Sequence, residues 1–273
     1  MELIEILKVV VLGIVEGVTE WLPISSTGHM LLVDEFIHMN VSESFKDMFF
    51  VVIQLGAILA VVMLFWDKMW PFQTKDKSKP VIRKDVFSMW FKVVVACIPG
   101  AIVTLLFDDY IEAHLHTPTV IVLALVVYGV AFIVIENWNK NRTPKVLTLE
   151  DISYKTAFII GLFQVLSIIP GTSRSGSTII GALTIGVSRV AAAEFTFFLA
   201  VPVMIGLSFI KILKFGFSFT SIEFMTLAIG CVVAFLVSVL VIKFLMSYIK
   251  KRDFKIFGWY RIVLGVILLL YFM

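Results

Sequence analysis

Long uninterrupted runs of apolar residues constrain this chain more than any other feature of its sequence. Each run holds about 17–24 residues, enough to cross a ~30 Å hydrocarbon core as a helix. With 60% hydrophobic and only 16% charged residues, the chain has the composition of a polytopic membrane protein, since soluble domains carry about 25% charged residues. We therefore predict an all-α fold in a single membrane domain over residues 1–273. The six predicted spans are residues 49–66, 91–107, 118–136, 194–213, 224–247 and 257–273.

Two further apolar stretches are interrupted near their middle. Residues 6–38 are broken at Pro23 and residues 156–188 at Pro170, and small hydroxyl residues follow each proline. Neither half of either stretch is long enough to span a membrane. Irregular backbone survives at membrane depth only where protein buries it or where it lines a wet cavity. We therefore predict two re-entrant hairpins, each made of two half-helices that meet at the tip.

The order of these elements repeats along the chain. A hairpin followed by three spans fills residues 1–140, and the same order fills residues 150–273. Because each copy crosses the membrane an odd number of times, the second copy is predicted to be upside down, as in many transporters. The alignment of the two copies that we favour pairs Pro23 with Pro170 and Ser26 with Ser173, and it pairs Gly13 with Gly161 after a one-residue slip.

The distribution of basic residues predicts the orientation. Lysine and arginine concentrate in residues 67–92, 137–155 and 248–256, whereas residues 108–117 carry none and hold three acidic side chains. Cytoplasmic loops carry the excess of Lys and Arg, so the first three segments are predicted to lie inside and the fourth outside. The first hairpin then opens to the outer side and both termini lie outside. Lys211 and Lys214, which would also lie outside, count against this orientation.

The first hairpin carries the sequence EGVTEWLPISSTGH over residues 16–29. Glu16 and Glu20 are four residues apart, so they share one face of an otherwise apolar half-helix. An ionisable group at membrane depth costs free energy and usually marks function. The competing explanation is a helix end near enough to the surface to hydrate both carboxylates.

The second hairpin carries PGTSRSGST over residues 170–178, with Arg174 in a turn that must lie deep in the protein. A guanidinium forks onto phosphate oxygens, and hydroxyl and glycine N–H groups fill the remaining lone pairs. The two tips are predicted to meet as one anion site at the N-termini of the second half-helices. The side chains that we expect to bind phosphate there are Ser25, Thr27, Ser173, Ser175 and Thr178.

This combination of residues fits phosphoryl transfer. Arg174 would stabilise charge on the transferred phosphate. Ser26 would attack, and either His29, about one turn away, or Glu20 would take its proton. Ser25 is the more natural cap of the following half-helix. His29 as the nucleophile and a metal-activated water remain open alternatives.

Both motifs resemble the two signature segments of the bacterial undecaprenyl-diphosphate phosphatases, the bacitracin-resistance proteins, and the similarity extends along the whole chain. The resemblance implies hydrolysis of undecaprenyl diphosphate in the bacterial cytoplasmic membrane, recycling of the carrier lipid for wall synthesis, and bacitracin resistance. It also implies dependence on a divalent cation, Mg²⁺ or Ca²⁺, for which Glu16 and Glu20 are the candidate ligands. The residues that the resemblance points to are Glu16, Glu20, Ser26, Thr27, His29, Ser173, Arg174 and Thr178.

A lipid flippase or ion-coupled transporter is the main rival, because inverted repeats with broken helices are transporter architecture. A carrier has to hold an anion but needs no nucleophile beside it, so the Ser, His and Arg cluster favours the phosphatase. A purely structural scaffold leaves the buried ionisable groups unexplained. The expected partners are the C55 lipid substrate and membrane lipids, with no nucleic acid. The expected assembly is a homodimer.

Overall fold

The structure, a computed structural model, describes residues 2–73, 80–115 and 117–272. The secondary structure of these residues is helical, apart from two isolated bridges, Phe72 with Ile82 and Val146 with Val187. The prediction of an all-α fold is therefore confirmed. Part of the predicted basic loop, with Lys75, Lys77 and Lys79, lies outside the described residues.

The first half of the chain contains the predicted broken stretch and three spans. The break in residues 6–38 separates two helices, and the predicted span 49–66 consists of two helices that join at Ile53. The helices are α1 (Leu3–Thr19), α2 (Ser26–Phe36), α3 (Glu43–Val52), α4 (Gln54–Leu64), α5 (Trp66–Met69), α6 (Lys84–Leu115) and α7 (Pro118–Asn139).

The second half begins with the other broken stretch. Its first helix continues into a short 3₁₀ turn at Leu166–Ile168, and the backbone then leaves helical conformation until Arg174. The helices are α8 (Tyr154–Val165), α9 (Arg174–Thr184), α10 (Arg189–Phe215), α11 (Ser221–Ile249) and α12 (Lys255–Phe272).

Five helical segments of the described chain are long and apolar enough to cross a membrane, and α3 and α4 together form one of them. Their outward side chains include Leu105 and Leu240, which are 78% and 69% exposed. Exposed leucines on this scale would be unusual on a water-soluble protein but are suited to contact with lipid. The protein is a multi-pass membrane protein. The five spans are Glu43–Leu64, Lys84–Phe107, Pro118–Asn139, Arg189–Phe215 and Ser221–Ile249, and the sixth predicted span forms α12.

Helix α6 is longer than the sequence predicted. The acidic segment 108–117 was expected to be an outer loop, but the helix continues to Leu115. Acidic side chains do not interrupt helical hydrogen bonding, and no glycine or proline follows Gly100 until Pro118 begins the next helix. The polar segment therefore extends a helix instead of forming a loop.

Glycines bring helices of the two halves into close contact. A Cβ at Gly17 of α1 would lie 2.8 Å from the carbonyl oxygen of Ala234 on α11. In the same way, a Cβ at Gly161 of α8 would clash with the backbone of Ala96 on α6. Small residues permit such backbone approach in membranes, where packing replaces the hydrophobic effect. The first helix of each hairpin therefore packs on a long helix of the other half.

Helices α7 and α12 are joined in a similar way. A Cβ at Gly129 would lie 2.7 Å from the carbonyl oxygen of Gly258, and the reverse distance is also 2.7 Å. The pair leaves no space for a side chain on either helix. This contact fixes the position of α12, which carries residues that reach both hairpin tips.

We predict that Gly129→Ala lowers the free energy of unfolding by about 1–3 kcal/mol, the usual cost of overpacking a close contact. Thermal or denaturant unfolding of the purified protein in detergent measures the change. Gly206→Ala is the matched control, because a Cβ there meets no atom within 4 Å. Equal stability of the two variants would show that the α7–α12 contact is not tight.

Candidate active site

The two hairpin tips have the same unusual backbone conformation. Ser25 has a φ of 77° and Ser173 a φ of 73°, and they are the non-glycine residues with positive φ in the described chain. Ser25 Oγ accepts a hydrogen bond from the N–H of Gly28 at 3.3 Å, and Ser173 Oγ accepts one from Gly176 at 3.1 Å. Each serine thus caps the second helix of its hairpin. Strained conformations of this kind concentrate at functional sites.

The caps correct our alignment of the two halves by one residue. We had paired Ser26 with Ser173, but the residue that shares the conformation and capping role of Ser173 is Ser25. The corrected alignment also pairs Gly13 with Gly161 without a slip. Ser26 and Arg174 consequently occupy equivalent positions, since each is the first residue of its helix.

Glu20 is the point at which the two tips meet. Its Oε2 accepts a hydrogen bond of 2.7 Å from Ser26 Oγ, and its Oε1 lies 2.6 Å from Nη2 of Arg174. Ser175 Oγ donates to the Glu20 backbone carbonyl at 3.2 Å. The Glu20 side chain is only 6% exposed. One buried carboxylate therefore joins the serine of one hairpin to the arginine of the other.

Helix α10 contributes a backbone hydrogen bond to the Arg174 guanidinium. Its Nη1 donates to the Thr196 carbonyl at 3.2 Å. Thr178 Oγ1, completely buried, lies 2.8 Å from Thr196 Oγ1 and donates to the Arg174 carbonyl at 3.0 Å. Thr178, which we expected at the phosphate, forms its hydrogen bonds with Thr196 and with the backbone of its own helix.

The other predicted phosphate ligands differ in their surroundings. Ser173 Oγ lies 3.1 Å from Ser175 Oγ, so these hydroxyls contact each other and the tip backbone. Thr27 is exposed in the first turn of α2, and Ser26 is half-buried. Thr27 and Ser26 are thus the hydroxyl residues of the first tip that are open to a ligand.

The ring nitrogens of His29 hydrogen-bond to residues other than Ser26. Its Nδ1 lies 2.7 Å from the Ser25 carbonyl oxygen, and its Nε2 lies 2.7 Å from the hydroxyl of Tyr260 on α12. The rings of His29 and Tyr260 are stacked, with centroids 5.6 Å apart. A carbonyl can only accept, so Nδ1 is the donor, and in the neutral ring Nε2 then accepts from the phenol. Of the two bases that we expected for Ser26, Glu20 is thus the one that hydrogen-bonds to Ser26 Oγ, and a catalytic role of His29 stays a prediction.

Glu16 lies one turn before Glu20 on α1 and is 1% exposed. Its Oε1 is buried without a hydrogen-bond partner. At the equivalent position of the second hairpin, Gln164 is also buried and its Oε1 also lacks a partner. The described residues contain no cluster of three or more His, Cys, Asp or Glu that could hold a metal ion. A cation bound here would need ligands from the substrate in addition to the carboxylates.

Sequence reasoning missed two residues of α12, Tyr260 and Arg261. Arg261 is fully buried and donates to the carbonyl oxygens of Pro23 and Gly171, one in each tip. The available signal was a charged residue inside an apolar span, which the cost of burying charge marks as unusual.

Comparison with known proteins identifies relatives over the full chain. The bacitracin resistance protein BacA family matches residues 9–267. An undecaprenyl-diphosphatase of Enterococcus faecalis is 74% identical over 270 residues, covering 99% of this chain and 98% of that protein. Those of Lachnoclostridium phytofermentans and Acetivibrio thermocellus are 61% and 55% identical, each covering at least 99% of both chains. The chain belongs to the bacitracin resistance protein BacA family.

Proposed function

We propose that this protein hydrolyses undecaprenyl diphosphate to undecaprenyl phosphate and inorganic phosphate where the two hairpin tips meet. The observation that carries this proposal is the convergence of Ser26 and Arg174, from different hairpins, on the two oxygens of Glu20. The identity of the proposed substrate comes from full-length relatives that are named undecaprenyl-diphosphatase. The reaction recycles the carrier lipid for wall synthesis, and removal of the diphosphate explains the bacitracin resistance that gives the family its name.

In the first step that we propose, Ser26 Oγ attacks the terminal phosphorus. Glu20 Oε2, already 2.7 Å away, accepts the serine proton as the bond forms. The bond between the terminal phosphorus and the bridging oxygen breaks, and undecaprenyl phosphate leaves with the bonding electrons. Arg174 moves its guanidinium from Glu20 to the phosphate oxygens, where its fork stabilises the charge of the transition state.

In the second step, water attacks the phosphoserine. The Ser26 oxygen leaves and takes back its proton from Glu20, which is again a carboxylate, while the oxygen and both protons of the water depart as part of the inorganic phosphate. Free N–H groups at the N-termini of α2 and α9, together with the exposed Thr27, supply further donors for the phosphate. Ser175 would join them only by releasing the Glu20 carbonyl, to which its hydroxyl donates. Ser25 and Ser173 act on the phosphate indirectly, because their hydroxyls hold the tips as helix caps.

We propose Glu16, with Glu20, as the residues that would hold a divalent cation. The supporting observation is the buried Glu16 Oε1 without a partner, which is a costly arrangement unless a ligand completes it. Mg²⁺ commonly binds through one or two carboxylates plus substrate phosphates, which suits a site with only two carboxylates. A bound cation would neutralise charge on the diphosphate.

The transporter and flippase alternatives receive less support. The relatives carry the name of a phosphatase, and the hydrogen bond from Ser26 to a buried carboxylate is a feature of nucleophilic catalysis. A carrier of anions would have no use for that contact. A homodimer stays a prediction for the assembly.

We also propose that the two halves form an inverted repeat in the bacterial cytoplasmic membrane, with the site open to the outer side and both termini outside. Three features support this plan: the matched serine caps, the reciprocal packing of α1 on α11 and of α8 on α6, and the basic segments 137–155 and 248–256. The last of these follows the rule that cytoplasmic loops are rich in Lys and Arg.

Phosphate release from C55 diphosphate by the purified protein in detergent tests the function. We predict that Arg174→Lys lowers kcat by at least about 100-fold, the scale of losing one preorganised charge-stabilising donor, because a lysine cannot fork onto two phosphate oxygens. Arg142→Lys is the control, since Arg142 stacks on Trp138 away from the tips. No phosphate release by the wild-type protein would overturn the function, and full activity of Arg174→Lys would overturn the arginine's role.

Single cysteines test the orientation in a background that lacks Cys97 and Cys231. We predict that a cysteine in place of Thr143 reacts in whole cells only with reagents that cross the membrane. A cysteine in place of Thr117, which is exposed between α6 and α7, should also react with impermeant reagents. The opposite labelling pattern would invert the proposed orientation and move the site to the cytoplasmic side.

A further inference from the structure

Arg261 is a buried cation, and no carboxylate among the described residues forms an ion pair with it. It is 0% exposed, and the hydrogen bonds of its guanidinium all go to backbone carbonyl oxygens. Burying a charge is costly unless hydrogen bonds replace the lost water. The planar fork of five N–H donors is suited to satisfying several separate acceptors at once. A side chain that only filled space in α12 would not need this charge.

The acceptors of Arg261 lie at equivalent places in the two hairpins. Nη1 donates to the carbonyl of Pro23 at 3.2 Å, and Nη2 donates to the carbonyl of Gly171 at 2.7 Å. Pro23 stands two residues before Ser25, and Gly171 stands two residues before Ser173. Each carbonyl therefore immediately precedes the strained turn that ends in a positive-φ serine. One guanidinium holds the same backbone group of both tips.

The remaining hydrogen bonds fix Arg261 to α7. Nε donates to the Leu125 carbonyl at 3.4 Å, and Nη2 donates to the Ala124 carbonyl at 3.3 Å. One helical turn further along α7, Gly129 packs against Gly258 of α12 with no space for a side chain. The guanidinium is thus supported by a rigid helix pair, and the two tips are positioned relative to that pair.

We propose that Arg261 is a positioning residue that sets the separation of the two hairpin tips and so aligns Ser26 with Arg174 on Glu20. This inference rests on the proposed assignment of the tips as the active site. The alignment depends on two hydrogen bonds of 2.7 and 2.6 Å to one carboxylate. A relative shift of the tips by about 1 Å breaks at least one of them, and misplacement on that scale can cost about 100-fold in rate.

Steady-state kinetics of Arg261→Lys and Arg261→Gln give the first part of the test. Lysine keeps the charge but cannot reach two separated carbonyls from one ammonium, so both variants should lose about 100-fold in kcat. The matched controls are Arg189→Lys and Arg189→Gln. Arg189 is paired with Glu136 at the start of α10 and contacts neither tip, so its variants should stay within about threefold of wild-type kcat.

Hydrogen–deuterium exchange is the second part of the test. If Arg261 had a purely structural role, its substitution would not speed exchange selectively at the tips. In the Arg261 variants, peptides covering residues 20–30 and 170–180 should exchange at least about fivefold faster, while peptides of α11 stay unchanged, because only the local opening of the tips becomes easier. The Arg189 variants should leave the tip peptides unaltered. If Arg261→Gln does not fold, Arg261→Lys carries both measurements.

Unchanged exchange of the tip peptides in a folded Arg261 variant would overturn the proposal, as would wild-type kcat in Arg261→Lys. Faster exchange that spreads equally over all helices would also overturn it, because general destabilisation would then explain the loss. The exchange measurement does not depend on the reaction. The two failures are therefore distinguishable: unchanged tip exchange refutes the role of Arg261, whereas faster tip exchange together with a fully active Ser26→Ala refutes the proposed site.

Discussion

The structure depends on one buried carboxylate. Glu20 is 6% exposed and is bound on one oxygen by Ser26 and on the other by Arg174. A charge in such a place is tolerated only when it is paired and hydrogen-bonded. Since the two partners come from different hairpins, the pairing requires both tips to enter the protein and meet. The chemistry that we propose follows from the same three side chains.

Much of the surrounding architecture serves that meeting point. Glycines on α1 and α8 let each hairpin lie directly against a long helix of the other half. The Gly129–Gly258 contact holds α12 against α7, and α12 then supplies Arg261 to both tip backbones and Tyr260 to His29. The strained serines at the tips place Ser26 and Arg174 first in their helices. Packing far from the carboxylate thereby determines where the reactive groups stand.

The sequence predicted the features that depend on local pattern. Apolar run length predicted the spans, proline and hydroxyl clusters predicted both broken stretches, and ionisable residues within apolar sequence singled out Glu20 and Arg174, which the structure brings together. It failed where the answer depends on contacts between distant residues. The partner of His29 is a tyrosine 231 positions away, and the acceptors of Arg261 lie in two separate tips. The alignment of the halves was wrong by one residue because backbone conformation, not residue identity, marks the equivalent serines.

Rapid quench of the enzyme with ³²P-labelled C55 diphosphate tests most directly whether Ser26, activated by Glu20, attacks the phosphate. The account predicts a transient acid-stable phosphoserine at Ser26 that forms before phosphate release and is absent from Ser26→Ala. Acid-labile phosphohistidine at His29 would contradict it. So would phosphate release that proceeds with no phospho-enzyme while Ser26→Ala keeps its activity.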